Sequence, residues 1–191
     1  MGAERSGGAG GSSFNDLAVD NSGNVYAAGS QGATGPYIYG IGVTALSSAY
    51  LTNVVLVKYN SSGEAQWAQS VQGPSEVSEF CGVTTDDSGN VYAAGSQSST
   101  DQFTYGPGVS VAGSYVGGNI VLVKYNSAGT AQWARSVQGA ADGSAFYGVA
   151  LHGSNLYAAG YQSGTGLFDY GNGVTVTGGI SSGSSLLVKY R

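Results

Sequence analysis

Charged side chains are scarce in this sequence. Asp, Glu, Lys and Arg together make up 9% of its 191 residues, against about 25% in an average globular domain. The 6 basic and 11 acidic side chains give a formal net charge of −5. A chain without a basic patch is a poor partner for nucleic acid or for an anionic membrane, so we expect neither partner.

The residues that most often carry chemistry are also nearly missing. Cys81 is the only cysteine and His152 the only histidine. No internal disulfide is therefore available, and a His-based metal site or general base would rest on one side chain. The acidic residues do not follow the spacing of a calcium loop, and no glycine-rich segment is followed by Lys-Ser/Thr. We predict a protein that is not an enzyme and that holds neither metal nor cofactor.

Long apolar runs and helical periodicity are absent as well. No stretch approaches the roughly 20 apolar residues that a membrane-spanning helix needs, so we expect no membrane insertion. Residues 1–13 contain no apolar segment typical of a secretory signal. The chain nevertheless has 41% hydrophobic residues and 14 tyrosines, and this composition favours a buried core over disorder.

Internal repetition is the strongest positive feature of the sequence. The stretch SGNVYAAGSQ occurs at 22–31 and again at 88–97, and a looser version, SNLYAAGYQ, occurs at 154–162. Equivalent residues are 66 positions apart, and the third copy lacks one residue in the turn that follows His152. The predicted organisation is an N-terminal segment and three repeat units: 1–13, 14–79, 80–145 and 146–191.

The repeat pattern predicts four short strands in each unit. An Asp-x-Ser-Gly-Asn turn separates the first two strands, since Asp bonds backbone N–H groups and Gly supplies a positive φ. The third strand, VVLVKYN in the first unit, is almost wholly apolar or aromatic, which is typical of a strand buried on both faces. An Asn-Ser-x-Gly turn then leads to a fourth strand that contains a tryptophan.

Segments of 21 residues separate the second and third strands of each unit. They share a Tyr-Gly-x-Gly-Val core but differ around it, and we predict that each forms a short extra hairpin on one rim. Loops on a rigid scaffold carry function disproportionately, and tyrosine is favoured in recognition surfaces. The candidate binding residues are therefore Tyr39, Tyr105 and Tyr170. The alternative interpretation is that these tyrosines are buried and only cap the unit.

Four antiparallel strands repeated at a fixed period are the pattern of a β-propeller blade. The run VDNSGNVYAAGS followed by NVVLVKYNSSGEAQWA also resembles the bacterial β-propeller repeat family known as SBBP, over about residues 14–191. The resemblance implies an all-β fold of about three four-stranded blades per chain. It also implies an extracellular or cell-surface location, because family members are typical of large bacterial surface or secreted proteins, and it assigns no activity.

The third unit lacks its fourth strand, which has a physical consequence. A long apolar edge strand is a template for pairing with another chain. Segment 3–14 aligns with 133–146 through a shared Arg-Ser pair, so residues 3–8 of one protomer are the expected missing strand of the next. The residues assigned to this oligomer interface are Arg5, Ser6, Leu186, Leu187, Val188 and Tyr190.

Such a head-to-tail contact closes into a ring or continues as a filament. Two protomers would give six blades and three would give nine, and we favour the homodimer because six blades is a common number. Alternatively, the N-terminal segment is a tail and the chain is a piece of a longer array. The leading function hypothesis is a non-enzymatic structural or assembly protein. The other is a lectin-like or peptide-binding module that uses equivalent rim loops.

Two further residue types recur at fixed repeat positions. The three lysines of the chain are Lys58, Lys124 and Lys189. We interpret them as packing elements whose stems lie on neighbouring structure, the alternative being a ring of cations. Trp67 and Trp133 are predicted to lie between blades with the indole N–H bonded to backbone, the alternative being ligand stacking.

Overall fold

The computed structural model describes residues 10–32, 34–48, 51–139 and 142–191, and the regular elements within them are all β-strands. None of these residues forms a helix long and apolar enough to span a membrane. The first unit contributes β1 (Ser12–Val19), β2 (Val25–Gly32), β3 (Gly35–Gly40), β4 (Val43–Ser47), β5 (Thr52–Tyr59) and β6 (Ala65–Ser70). The second contributes β7 (Ser78–Thr85), β8 (Val91–Ser98), β9 (Gln102–Gly106), β10 (Val109–Ala112), β11 (Gly118–Tyr125), β12 (Ala131–Ser136) and β13 (Gln138–Gly139). The last contributes β14 (Ser144–His152), β15 (Asn155–Gly164), β16 (Leu167–Asp169), β17 (Thr175–Thr177) and β18 (Ile180–Tyr190).

Three antiparallel sheets carry the fold, and two of them have four strands in the same order. Sheet 1 is β1-β2-β5-β6 and sheet 2 is β7-β8-β11-β12. In sheet 1, Lys58 lies opposite Tyr26 on one neighbouring strand and opposite Trp67 on the other. In sheet 2, Lys124 lies opposite the residues 66 positions after these two. The two sheets therefore share both strand order and register.

Sheet 3 has three strands, in the order β14-β15-β18. In sheet 3, β18 pairs with the second strand β15, as β5 and β11 pair with the second strands of their own sheets. Both β5 and β11 also pair with a fourth strand on their other side. In the described part of the chain, β18 pairs with β15 alone. One edge of this 11-residue strand therefore has no neighbouring strand among the described residues.

Short hairpins lie between the second and third strands of each sheet. They are β3–β4, β9–β10 and β16–β17, at the positions where the sequence predicts an extra hairpin. The segment that follows the fourth strand crosses to the hairpin of the next unit, since Gln72 and Thr104 exchange two backbone hydrogen bonds of 2.9 and 2.7 Å. Gln138 pairs with Asp169 at the equivalent place. These bridges connect successive units at their short hairpins.

The turn between the first two strands is built around one aspartate. The Asp20 carboxylate accepts hydrogen bonds from the backbone N–H groups of Ser22 and Asn24, from the Asn24 amide and from the Tyr26 hydroxyl, at 2.8–3.0 Å. Burial alone would raise the pKa of Asp20, but these hydrogen bonds outweigh it and hold the pKa below its usual value. Gly23 has a backbone φ of 79°, a conformation that residues with a side chain rarely adopt. Asp86 has the same partners in sheet 2, with the same direction of pKa shift.

A glycine in each second strand lies opposite a bulge in the first strand. In sheet 2 the register of β7 against β8 shifts at this bulge. A Cβ atom on Gly95 would lie 1.9 Å from the backbone oxygen of Glu79, far inside van der Waals contact. Gly29 and Gly160 face the same obstruction at the same distance. The AAG motif of all three units therefore ends in a glycine because backbone approaches too closely for any side chain.

The sheets pack face to face, and the core lies between neighbours. Leu56 of sheet 1 shares a buried cluster with Phe80 and Val83 of sheet 2. Leu122, on the other face of sheet 2, shares a second cluster with Phe146 of sheet 3. The strand β7 accordingly lies beside β1 on one side and β14 on the other. The prediction of an all-β fold is confirmed, and no closed propeller is identified among the described residues.

Candidate assembly surfaces

The predicted interface residues on β18 point alternately inward and outward. Leu186, Val188 and Tyr190 are buried, with exposed fractions of 6%, 1% and 4%, whereas Leu187 is 67% exposed. The first three side chains therefore anchor β18 to sheet 3, and only the backbone edge and the Leu187 face are available to another molecule. Arg5 and Ser6, the two other residues of the predicted interface, lie outside the described residues.

The chain enters each of the three sheets along the same route. In sheet 2 the backbone oxygen of Val77 accepts a hydrogen bond from Ser98, and in sheet 3 the oxygen of Gly143 accepts one from Ser163, both at 2.8 Å. In sheet 1 the oxygen of Gly11 accepts the equivalent bond from Gly32, also at 2.8 Å. In sheets 2 and 3 this route leads back to the fourth strand of the preceding sheet. Residues 10 and 11 thus approach β1 as a chain arriving from a fourth strand would.

Among the described residues, sheet 1 has an apolar face that is partly exposed, with Phe14 and Leu17 exposed and Ala27 buried. We call it the head face and define it by Phe14, Leu17, Val25, Ala27 and Tyr59. These residues line a concave groove of about 670 Å³. Phe14 is 46% exposed and Leu17 is 63% exposed. An apolar face of this kind is typical of a contact surface.

The head-face residues have buried equivalents in the sheets that follow. The phenylalanines at the position of Phe14, which are Phe80 and Phe146, are both 0% exposed. The residue at the position of Leu17 is Val83 in sheet 2, and it is 4% exposed. Sheet 1 therefore exposes part of the face that sheets 2 and 3 bury against the sheet before them. Val55 and Val57 on this face are buried in a cluster with residues of the β3–β4 hairpin.

In sheet 3 it is the opposite face that is exposed among the described residues. We call it the tail face and define it by Tyr157, Ala159, Leu187 and Lys189. Leu187 occupies the repeat position of Leu56 and Leu122, which are both fully buried. Ala159 and Lys189 are exposed. Sheets 1 and 3 are the first and last of the three packed sheets, and they therefore expose opposite faces of equivalent sheets.

The three lysines make the same contact in each sheet. Their ammonium groups lie over the rings of Tyr26, Tyr92 and Tyr157 at 5.3, 5.3 and 5.6 Å from the centroids, a cation–π distance. The Lys58 Nζ also donates to the backbone oxygen of Ser127 on sheet 2, at 3.3 Å. This geometry supports the packing interpretation of the lysines over a ring of cations.

The tryptophans lie in the fourth strands, at the junctions between sheets. The Trp67 Nε1–H donates to the backbone oxygen of Ser127 across the junction, at 3.2 Å. A Cβ atom on Gly129 would lie 2.8 Å from the Trp67 ring, so the indole fills the space beside that turn. Trp133 is covered by the guanidinium of Arg135, 4.9 Å from its ring. Both indoles are engaged within the protein, which favours the structural interpretation over ligand stacking.

The candidate binding tyrosines lie inside the molecule. Tyr39, Tyr105 and Tyr170 are at most 2% exposed, so a ligand at the protein surface does not reach their rings. Their hydroxyl groups donate to the side-chain oxygens of Gln31, Gln97 and Gln162. Burial raises the pKa of all three phenols. The Tyr–Gln pairs clamp each rim hairpin to its sheet, which is the alternative interpretation given to these residues above.

Sequence reasoning did not single out several residues that hold the junctions. The Ser78 hydroxyl accepts a hydrogen bond from the backbone N–H of Val54, and Ser144 accepts one from Ile120, both at 3.1 Å. These serines and the three glutamines are repeated at fixed positions, and that repetition was the available signal. Asn119, within the second unit, is fully buried: its Nδ2, with two N–H groups, lies within hydrogen-bonding distance of four backbone oxygens, and its Oδ1 accepts two backbone N–H bonds.

The titratable groups in the described residues form no cluster of three or more that could hold a metal ion. Burial, with a smaller effect from the Glu79 charge, raises the pKa of the Cys81 thiol to about 11. A thiol with this pKa is almost fully protonated near neutral pH and is a weak nucleophile. His152 is exposed at the start of a two-residue turn. These positions supply no arrangement from which a reaction can be derived.

Comparison of the sequence with protein-family models and with curated proteins found no significant match. The resemblance to the SBBP repeat family therefore stays a prediction from the residues quoted above.

Proposed function

We propose that this protein is a non-enzymatic assembly module whose copies associate head to tail by β-strand completion. In this proposal the three sheets are successive propeller blades, and a strand from one copy pairs with the free edge of β18 in another. Residues 3–8 are the proposed donor strand. The assembly is a ring, with two or three protomers, or a filament, and its setting is the cell surface or the extracellular space.

The free edge of β18 is the observation that carries this proposal. The equivalent strands β5 and β11 each have a fourth strand beside them, and β18 has none among the described residues. Along this edge of the 11-residue strand, a row of backbone N–H and C=O groups has no sheet partner among the described residues. Another copy that supplied a strand there would give sheet 3 the same four-stranded form as sheets 1 and 2.

The route of the chain into β1 supports an N-terminal donor. The Gly11–Gly32 hydrogen bond is equivalent to the Val77–Ser98 bond, and Val77 lies in the connection that follows the fourth strand β6. A donor strand that ended at residue 8 would reach β1 through residues 9–11, a shorter connection than the seven residues between β6 and β7, and would arrive at the equivalent hydrogen bond. Gly11 thus links the proposed donor to its own first sheet.

Deletion of residues 1–8 tests this function. We expect the full chain to run as a multiple of 19.1 kDa in size-exclusion chromatography with light scattering, and the deletion variant to run as a single chain or to aggregate without a defined mass. A matched control replaces residues 1–8 with eight Gly and Ser residues, which keeps the length and removes the side chains of Ala3, Glu4 and Arg5 from the proposed donor. The control should behave as the deletion does. A full chain that is monomeric, or a deletion variant with unchanged oligomeric mass, would overturn the proposal.

A further inference from the structure

We propose that the head face of one copy docks against the tail face of a second copy, through side chains rather than through a strand edge. This inference rests on the head-to-tail assembly proposed above, but it concerns a different contact. The docked faces would form a further junction of the kind that already joins sheet 1 to sheet 2 and sheet 2 to sheet 3.

The two internal junctions define what such a contact requires. In each, a leucine on the third strand of one sheet and a phenylalanine on the first strand of the next are buried in one cluster. The pairs are Leu56 with Phe80, and Leu122 with Phe146, and all four side chains are 0% exposed. A junction of this type therefore needs an apolar tail face with a leucine and an apolar head face with a phenylalanine.

The two uncovered faces supply these parts. Leu187 on the tail face is 67% exposed at the position of Leu56 and Leu122. Phe14 on the head face is 46% exposed at the position of the two buried phenylalanines. The groove of about 670 Å³ beside Phe14 and Leu17 is the space that a preceding sheet would fill. Exposed apolar area of this kind is removed from water only when the two faces meet.

The tail face and the head face also carry the polar groups that meet at an internal junction. Inside the chain, Lys58 of one sheet donates to the backbone oxygen of Ser127 in the turn of the next. Lys189 is the equivalent cation on the tail face, and Ser61 occupies the turn position equivalent to Ser127 in sheet 1. Docking would bring the exposed Lys189 ammonium to the Ser61 backbone oxygen of the second copy.

The backbone is also shaped for close approach at this junction. A Cβ atom on Gly82 would lie 2.9 Å from the Cα of Gly148 and 3.0 Å from the backbone nitrogen of Val149. Sheets 2 and 3 thus touch almost backbone to backbone. Gly148 has the same position in sheet 3 as Gly82 has in sheet 2, and a Cβ atom there would meet nothing within 4 Å. This open space is where β1 of the second copy would lie.

A second copy of this chain is the occupant that these observations select. The head face and the tail face are each the repeat equivalent of a face that the chain buries at an internal junction. In both internal junctions, a face equivalent to the head face packs against a face equivalent to the tail face. An unrelated ligand would have to imitate a whole sheet face, including the acceptor for Lys189. The docking is therefore a continuation of an interface already present twice in the molecule.

Leu187→Arg in the full chain tests the docking. The substitution places an unpaired charge on the tail face, while the 67% exposure of Leu187 makes it compatible with the folded single chain. We expect the assembly to dissociate at least about 100-fold more readily, since burying an unpaired charge is strongly unfavourable. The matched control is Ile41→Arg, because Ile41 is fully exposed on the turn between β3 and β4. The control should keep the oligomeric mass.

The outcomes separate the two proposals. If Leu187→Arg assembles as the unchanged chain does, face docking is overturned and strand completion stands. If deletion of residues 1–8 leaves the mass unchanged while Leu187→Arg lowers it, strand completion is overturned and face docking stands. Circular dichroism of both variants verifies that the sheets are retained.

A cross-linking measurement keeps the inference testable if Leu187→Arg does not fold. Position 148 of one copy should approach position 17 of the next, as Gly82 approaches Val149 within the chain. We expect the triple variant Cys81→Ala, Leu17→Cys, Gly148→Cys to form disulfide-linked multimers on a non-reducing gel after mild oxidation. Variants with only one of the two new cysteines should not form this ladder. An assembled triple variant without cross-links would overturn the docking.

Discussion

The clearest physical prediction compares one leucine position in two sheets. Leu122 is fully buried between sheets 2 and 3, whereas Leu187, its equivalent, is 67% exposed. Leu122→Ala should lower the free energy of unfolding by about 2–5 kcal/mol, because it removes buried methyl groups and leaves a cavity. Full burial of a leucine contributes about 1.5–3 kcal/mol. Since only about a third of Leu187 is buried, Leu187→Ala should cost about 0.5–1 kcal/mol in the dilute single chain.

Urea denaturation followed by tryptophan fluorescence measures both losses, as shifts in midpoint at an unchanged denaturant slope. The comparison should be made over a dilution series. The cost of Leu187→Ala should rise with protein concentration if copies cover the tail face, while the cost of Leu122→Ala should not. Equal losses for the two variants at the lowest concentration would refute the reasoning, since they would mean that sheet 3 has no uncovered face.

Three further predictions concern the interior of the units. Gly95→Ala should lower the unfolding free energy by about 1–3 kcal/mol or more, because its Cβ would lie 1.9 Å from the Glu79 backbone oxygen. Tyr105→Phe should cost about 1–3 kcal/mol, since it leaves the buried Gln97 side-chain oxygen without its hydrogen bond. Asp86→Asn should cost about 1 kcal/mol above about pH 4. That difference should vanish as the pH falls through the folded-state pKa of Asp86, which burial would raise but the hydrogen bonds hold below its usual value, because the stabilisation is present only when the carboxylate is ionised.

Each of these variants has a refuting result, read from thermal or urea unfolding, and Gly95→Ala also has a control. Gly148→Ala is the control for Gly95→Ala at low concentration, because a Cβ atom there meets nothing within 4 Å. Equal stability of the two variants would argue against the bulge as the reason for glycine. A Tyr105→Phe protein as stable as the unchanged chain would show that Gln97 is satisfied elsewhere. An Asp86→Asn loss that grows as the pH falls below 4 would reverse the sign expected from the lowered pKa.

Much of the local structure could be predicted from the residues alone. The Asp-x-Ser-Gly-Asn turn at Asp20 forms because an aspartate can bond the backbone ahead of it and glycine permits the positive φ. The nearly continuous apolar run VVLVKYN predicted a strand covered on both faces, and Val54–Val57 of β5 are fully buried. The sequence also predicted that sheet 3 lacks a fourth strand, because the Trp-containing segment occurs twice while the other three strands occur three times, and sheet 3 has three strands among the described residues.

Other features depend on contacts between residues distant in sequence. From the sequence, Tyr39, Tyr105 and Tyr170 were candidate binding residues with burial as the alternative, and each is buried with its hydroxyl on a glutamine eight positions earlier. A tyrosine on a short hairpin can face the solvent or its own sheet with the same local sequence. The direction in which the hairpin folds over the sheet decides between the two, and that direction depends on packing rather than on pattern.

The repeat, the strand order within a unit and the turns can be read from the residues, since these features follow from backbone propensity and from short-range hydrogen bonds. Which face of each sheet is covered depends on how the sheets pack. Phe14 and Phe80 occupy the same repeat position with the same side chain, but one is 46% exposed and the other is 0% exposed. The difference arises because a sheet precedes Phe80 and none precedes Phe14 in the described chain. Burial depends on what packs against a side chain, and a repeat pattern is the same in a covered unit and in an uncovered one.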